Sequence, residues 1–311
     1  MTSASEDQPV VEFLLAEMTL DNNPTVPLTE AELIEIRTAL DNLDEVMVIE
    51  EAFDAIMMNY RIYEEGQMRA TLDHVLDTEH ATDHMTDVRR RSALHLDNLL
   101  SSARAFLDIT PSRMKKMGGP DLMAEFKRLT SVQYDAIPAY QFMEALRNYA
   151  QHEGSSVTGM RFDISRSDKG RRLMDKDFKM VFSVQTRLHS ELIRKHFKAH
   201  VRHLIDTLSD KKGMIDMTPL VRAYIVGLNN IILETRALLK EREEGWYAIN
   251  QQAIDRLKEA GSSTLISAAI KRVDGRVVET NYLAPRHQAA TTRLRKRNGK
   301  ITHLLKAQIN G

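Results

Sequence analysis

Apolar residues recur at three- and four-residue intervals through most of the chain, and the places where that rhythm stops divide it into elements. Residues 1–27 are largely polar apart from Val10-Val11 and Phe13-Leu14-Leu15, with Pro24 and Pro27 near their end, and read as a flexible, poorly ordered acidic arm. Thr29-Glu30-Ala31-Glu32 then supplies a hydroxyl at the cap and an acid three positions on, the signature of a capping box. Leu33, Ile36, Leu40, Leu43 and Met47 follow at helical spacing, and residues 50–63 continue without Gly or Pro, predicting two helices or one bent one. Between Gly66 and Pro111 there is again no breaker, and Leu72, Val75, Leu76, Val88, Leu94, Leu99 and Phe106 predict a long helix or two end to end.

Gly118-Gly119-Pro120 interrupts the pattern, and a short helix is expected over Asp121 to Leu129. Pro138 suits the first position of the next helix, where its missing N–H costs nothing, and Tyr140, Phe142, Leu146 and Tyr149 carry that helix towards Gly154. Beyond it the texture changes. Val157 to Ile164 and Phe178 to Val184 read as a hairpin, and helix is expected to return from about Gln185 to Leu208 and from Met217 to Ala260. Thr264 to Tyr282 reads as two strands around Asp274-Gly275, and Asn298-Gly299 suggests a further hairpin turn. The expected fold class is mainly α. A helical bundle over 28–155 follows the arm, and 156–311 forms a mostly helical region with β-hairpins.

Composition narrows the class. The 311 residues are 42% apolar and include no cysteine, which excludes a disulfide framework, a thiolate metal site and a cysteine nucleophile. No apolar run approaches the ~18 residues of a membrane span, and the first twenty residues carry four acids and no Lys or Arg, unlike a secretory leader. A cytoplasmic protein with no membrane partner is expected. The net charge of −1 hides a segregation: residues 1–65 hold sixteen acids and two bases, residues 161–203 twelve bases and five acids, and residues 280–311 seven bases and no acid. Such poles suit self-association, solvated helix faces or a polyanion such as RNA. Arg171, Arg172, Lys195, Lys198, Arg293, Arg295, Lys296 and Arg297 are the expected RNA-binding residues.

Glycine-rich phosphate loops, His-Glu-x-x-His and nucleophile elbows do not occur. Three histidine constellations remain. Asp73, Asp77, His80, His84 and Asp87 share one face if the helix is continuous, either as metal ligands or as a solvated surface. His189, His196, His200 and His203 share another among Arg194, Lys195 and Lys198, whose charge opposes a metal and suits a polyanion. The third is Arg147-Asn148-Tyr149-Ala150-Gln151-His152. A guanidinium offers a fork of donors to a phosphate, and an imidazole exchanges protons near neutrality, which are the parts for cleaving RNA without a metal. The bland alternative is an Arg147 paired with Glu144 and a His152 merely placed at a helix C-terminus.

Arg147 to His152, with Asn148 after the arginine, resembles the Arg-x(4–6)-His signature of the HEPN superfamily, and Tyr140 to His152 as a whole is similar to the motif helix of bacterial members. The resemblance spans Thr29 to Gly154 at most. It implies a helical bundle, a homodimer whose two motifs meet in one cleft, and a metal-independent RNase of a toxin–antitoxin, phage-defence or RNA-processing system, with no cofactor and with an antitoxin or regulatory protein as a further partner. By it, Arg147 and His152 are catalytic and Asn148 orients the histidine or the phosphate. A non-catalytic interaction or RNA-binding protein that assembles through its charged ends is the alternative.

Overall fold

A computed structural model of the chain describes residues 9–18, 24–76, 82–166, 180–262, 266–283 and 285–301. Among these, helix predominates. The order is β1 (Val11–Glu17), β2 (Thr25–Pro27), α1 (Glu30–Leu76), α2 (Thr82–Ala136), α3 (Pro138–His152), β3 (Gly159–Arg166), β4 (Met180–His189), α4 (Ser190–Arg194), α5 (Ala199–Leu208), β5 (Met214–Asp216), α6 (Met217–Glu259), β6 (Ser267–Val273), β7 (Arg276–Leu283) and α7 (Pro285–Arg297). No described helix is long and apolar enough to cross a membrane.

Contacts divide the chain into two units, one of Met1–Glu51, Arg113–Gly119 and Arg236–Arg297, the other of Ala52–Ser112, Pro120–Thr235 and Asn298–Gly311. The division expected at residue 155 is not where the contacts part, because α1, α2 and α6 each carry residues of both units.

In the first unit the capping box forms as its residues require: the Thr29 N–H donates to Glu32 at 2.7 Å, and the Glu32 N–H donates to the Thr29 hydroxyl at 3.2 Å. A four-stranded antiparallel sheet, ordered β2-β1-β6-β7, lies in this unit. Its β1 and β2 correct the expectation of a poorly ordered arm for Val11–Glu17 and Thr25–Pro27, while 1–8 and 19–23 lie outside the described residues. Val11–Glu17 pairs with Val273–Ser267 in full register, and burial deepens along it from the exposed Val11 to the buried Leu15 and Ala16. Alternation sorts them: Leu15 and Ala269 join Leu33, Ile36, Ala253 and Leu257 in one apolar cluster, while Ala16, Ala268 and Ile270 form a second. The β6–β7 turn is the expected one, with Asp274 at φ 50° and Gly275 at φ 75°, the left-handed conformations a two-residue hairpin demands.

In the second unit α1 and α2 run into an aromatic core, with Phe106 edge-on to both Phe53 (5.8 Å) and Phe126 (6.1 Å). A second sheet, β3-β4-β5, is tied to α1 by a buried hydrogen bond between Tyr63 and Thr186 at 2.6 Å. The expected hairpin over β3 and β4 is present. The expected helix from Gln185 to Leu208 begins only at Ser190, as α4 and α5, because β4 runs on through His189 to pair with β5. α2 is interrupted where the breakers stand, at Gly118 and Gly119, but helix resumes beyond Leu129 to Ala136. Asn298-Gly299 does not turn a hairpin. It follows α7, and within this unit Asn298 donates to Asp54 at 2.6 Å while the Gly299 carbonyl accepts from Asn229 at 3.1 Å.

Close approach of α1 and α2 makes one glycine necessary. A Cβ at Gly66 would lie 2.7 Å from Nδ1 of His95. The clash, about 1–3 kcal/mol, exceeds the ~1 kcal/mol of helix propensity gained, so Gly66→Ala is expected to lower unfolding stability by about 1 kcal/mol. A stabilised variant in urea titration would contradict the packing. His95 itself offers a pH test: burial and then the nearby Arg91 hold its pKa below the ordinary value, and its buried Nδ1 has no partner. A folded-state pKa below the unfolded one means that the unfolded chain takes up the proton first. Stability is therefore whole above the unfolded value of about 6.5 and declines as pH falls through it towards the folded one. His95→Gln should flatten that decline between pH 7.5 and 5.5, and an unchanged slope would assign it elsewhere.

Candidate functional site

Helix α3 is built to show one face and hide the other. Pro138 starts it, after an extended Ile137, and Ala139, Tyr140, Phe142, Met143, Leu146 and Tyr149 are buried at three- and four-residue spacing. The N–H groups of Glu153 and Gly154 both reach the Tyr149 carbonyl and end the helix. Gly154 is required there, since a Cβ would collide with the Tyr149 hydroxyl.

The three motif residues lie together at the end of this helix, in a different arrangement from that expected. Nη1 of Arg147 donates to Gln151 at 3.0 Å and Nη2 to the side-chain oxygen of Asn148. Arg147 does not pair with Glu144, which accepts from the Tyr224 hydroxyl at 2.6 Å and lies 3.9 Å from Arg104. Asn148 thus holds the arginine rather than the histidine. His152 is exposed in the last turn. Gln151, the arginine's second anchor, was not among the expected site residues, although four-residue spacing from Arg147 marks it.

Beside this end of α3 lies a groove of about 700 Å³, walled by α2, α3 and the first turn of α5. Asn148 is in its wall and Arg147 and His152 are not. Lys127, Thr130, Ser131 and Tyr134 line it from one face of α2, and His196, Lys198 and His200 line it from the other side. Nε2 of His200 is 3.1 Å from the Tyr134 hydroxyl, and Nδ1 of His196 is 3.4 Å from Glu153. Thr130, Ser131 and Tyr134 lie beyond the short helix expected to end at Leu129, and the opposite wall belongs to residues some seventy positions away.

The expected RNA-binding residues are scattered. Arg171 and Arg172 lie outside the described residues. Lys195 is exposed, and Lys198 is exposed in the groove. Arg293, Arg295, Lys296 and Arg297 stand on α7, in the other unit. Of these Arg295 is corrected outright: it donates to Glu50 at 2.6 Å and to Glu243 at 3.0 and 2.9 Å, so its charge is spent inside the protein, while Arg293 and Lys296 are exposed.

The other two constellations come apart. His189 is in β4 with a buried, unpartnered Nδ1, His196 is in the turn before α5, and only His200 and His203 share a helix. Asp73 is 3.8 Å from Arg69, and Asp87 is 3.8 Å from Arg90. Asp77 and His80 lie outside the described residues, and His84 is at the start of α2, so no continuous helix is described through the five. Among the described residues no group of three or more His, Asp or Glu converges as a metal site. Comparison with protein-family models, with curated proteins and with solved structures finds no match to this chain.

Proposed function

We propose that the chain is a cytoplasmic, metal-independent endoribonuclease of HEPN type that acts as a homodimer and is held in check by an antitoxin or another regulatory protein. The observation that carries this reading is the state of Arg147. Its fork is held by Asn148 and Gln151 on its own helix, one turn from an exposed His152. A guanidinium has five N–H donors, so two anchoring bonds orient it and leave others for a phosphate. In an ideal helix the two motif residues are about 140° and 7.5 Å apart, so they flank a strand of RNA rather than touch, and a second copy of α3 completes the cleft.

The chemistry assigned to them is transesterification. Neutral His152 takes the proton of a ribose 2′-hydroxyl, whose oxygen attacks the adjacent phosphorus. Arg147 stabilises the added negative charge on the phosphoryl oxygens. The bond to the 5′-oxygen breaks, that oxygen takes up a proton, and a 2′,3′-cyclic phosphate remains.

The test is RNA cleavage by the purified protein in EDTA, with the ends of the products identified. Cyclic phosphate ends that vanish with His152→Ala and with Arg147→Ala support the assignment, and undiminished cutting by both variants overturns it. The alternative, RNA binding without cleavage, is favoured by one observation: both terminal nitrogens of Arg147 already have partners. It predicts retention of RNA that weakens with added salt and no cyclic ends.

A further inference from the structure

We infer that the groove beside α3 holds a phosphate site, centred on the first turn of α5 and apart from Arg147 and His152. The helix supplies the first reason. Lys198 stands at the N-cap of this ten-residue helix and makes no side-chain cap. Its carbonyl takes the N–H groups of Val201 and Arg202, and those of Ala199 and His200 have no carbonyl in the helix to reach. Two N–H groups without an acceptor among the described residues, and the positive end of the helix dipole, favour an anion.

Side chains supply the second. Lys127 and Lys198 both line the groove, and neither has a carboxylate partner among the described residues. The same walls hold Asp108, bound to Arg104 at 2.6 Å, Glu144, which accepts from the Tyr224 hydroxyl, and the exposed Asp135. The third reason lies in the floor. Tyr140 lines the groove, is only 2% exposed, and its hydroxyl is buried without any partner. Buried hydroxyls are nearly always paired, and this one has no acceptor among the described residues. Together these groups offer a phosphoryl group two ammonium ions, two backbone donors and a hydroxyl.

The phosphate has two sources in chemistry: an internucleotide phosphodiester of RNA, which rests on the function proposed above, or a free phosphomonoester, which does not. Titrating the full-length protein with inorganic phosphate at constant ionic strength, by calorimetry, tests the site itself. Lys198→Ala and Lys127→Ala should each weaken phosphate binding about tenfold, the loss of one charge-assisted hydrogen bond. Tyr140→Phe, which keeps the ring and therefore the packing, should weaken it measurably. Lys211→Ala, at an exposed lysine of the same unit outside the groove, should leave it unchanged.

An oligoribonucleotide with unphosphorylated ends then separates the sources. Weaker oligonucleotide binding by Lys198→Ala identifies the RNA backbone, and unchanged binding identifies a phosphomonoester; either outcome upholds the site. Equal weakening by Lys211→Ala and Lys198→Ala would reduce it to general surface charge and overturn it, as would no phosphate binding by the wild type. Failure of the nuclease reading looks different: His152→Ala would cut RNA as before while phosphate still bound.

Discussion

Replacing Glu50 by alanine is expected to cost about 3–5 kcal/mol of stability, the largest effect of any single substitution considered for this protein. Glu50 is 2% exposed, and its two oxygens are shared between two arginines: Arg236 donates at 3.0 and 2.7 Å, and Arg295 at 2.6 Å. Arg295 extends the array to Glu243, itself 5% exposed. The two carboxylates are nearly closed off from water, whereas Arg236 is 13% and Arg295 28% exposed, so the worth of the array depends on completeness around the acids. Deleting the central carboxylate leaves two guanidinium groups with one acid between them, in surroundings that cannot hydrate the excess charge. An isosteric Glu50→Gln should be milder but still destabilising, since the amide keeps an acceptor for one arginine and turns a donor towards the other. Urea unfolding followed by circular dichroism reads the difference, and a loss under about 1 kcal/mol would place the array among ordinary surface ion pairs.

The second large effect is the one that the proposed nuclease reading requires. Removing a general base typically costs about 10²–10⁴ in rate, and removing a donor to a developing oxyanion about 10²–10³. His152→Ala is therefore expected to lower kcat for RNA cleavage by at least about a hundredfold. Arg147→Ala should do the same, and Arg147→Lys should recover little, because an ammonium cannot keep the two anchoring bonds to Asn148 and Gln151 while facing a phosphate. His152 is exposed and packs in no cluster, so its loss should leave unfolding unchanged. A fall in kcat with an unaltered unfolding curve separates chemistry from structure. A His152→Ala enzyme of full activity would move the search for a base to His196 and His200, the two imidazoles inside the groove.

Much of the local architecture was legible from neighbouring residues. The Thr29–Glu32 box, the interruption at Gly118-Gly119, the start of α3 at Pro138 and the Asp274-Gly275 turn each depend on backbone demands that a few adjacent side chains meet or fail to meet. Errors fell where the deciding partner is remote. Val11–Glu17 reads as an isolated apolar scrap until β6, some 250 residues on, provides a strand to pair with. His189 sits at helical spacing from His196, yet β5 claims it for a sheet. Asn298-Gly299 has the residues of a hairpin turn and no strand before it.

The candidate site divides the same way. Membership of Arg147, Asn148 and His152 in one helix end follows from spacing alone, because a helix places residues four apart side by side whatever surrounds it. Whether a charge is available does not follow from spacing. Arg295 and Lys198 belong to comparably basic stretches, and only packing distinguishes them: two buried carboxylates from α1 and α6 consume the first, and none among the described residues meets the second. The sequence by itself determined where helices begin, break and turn, since those choices are made within a few residues. Tertiary structure alone decided which strands pair, which cations are spent and where a groove opens, since these depend on groups brought together from distant positions.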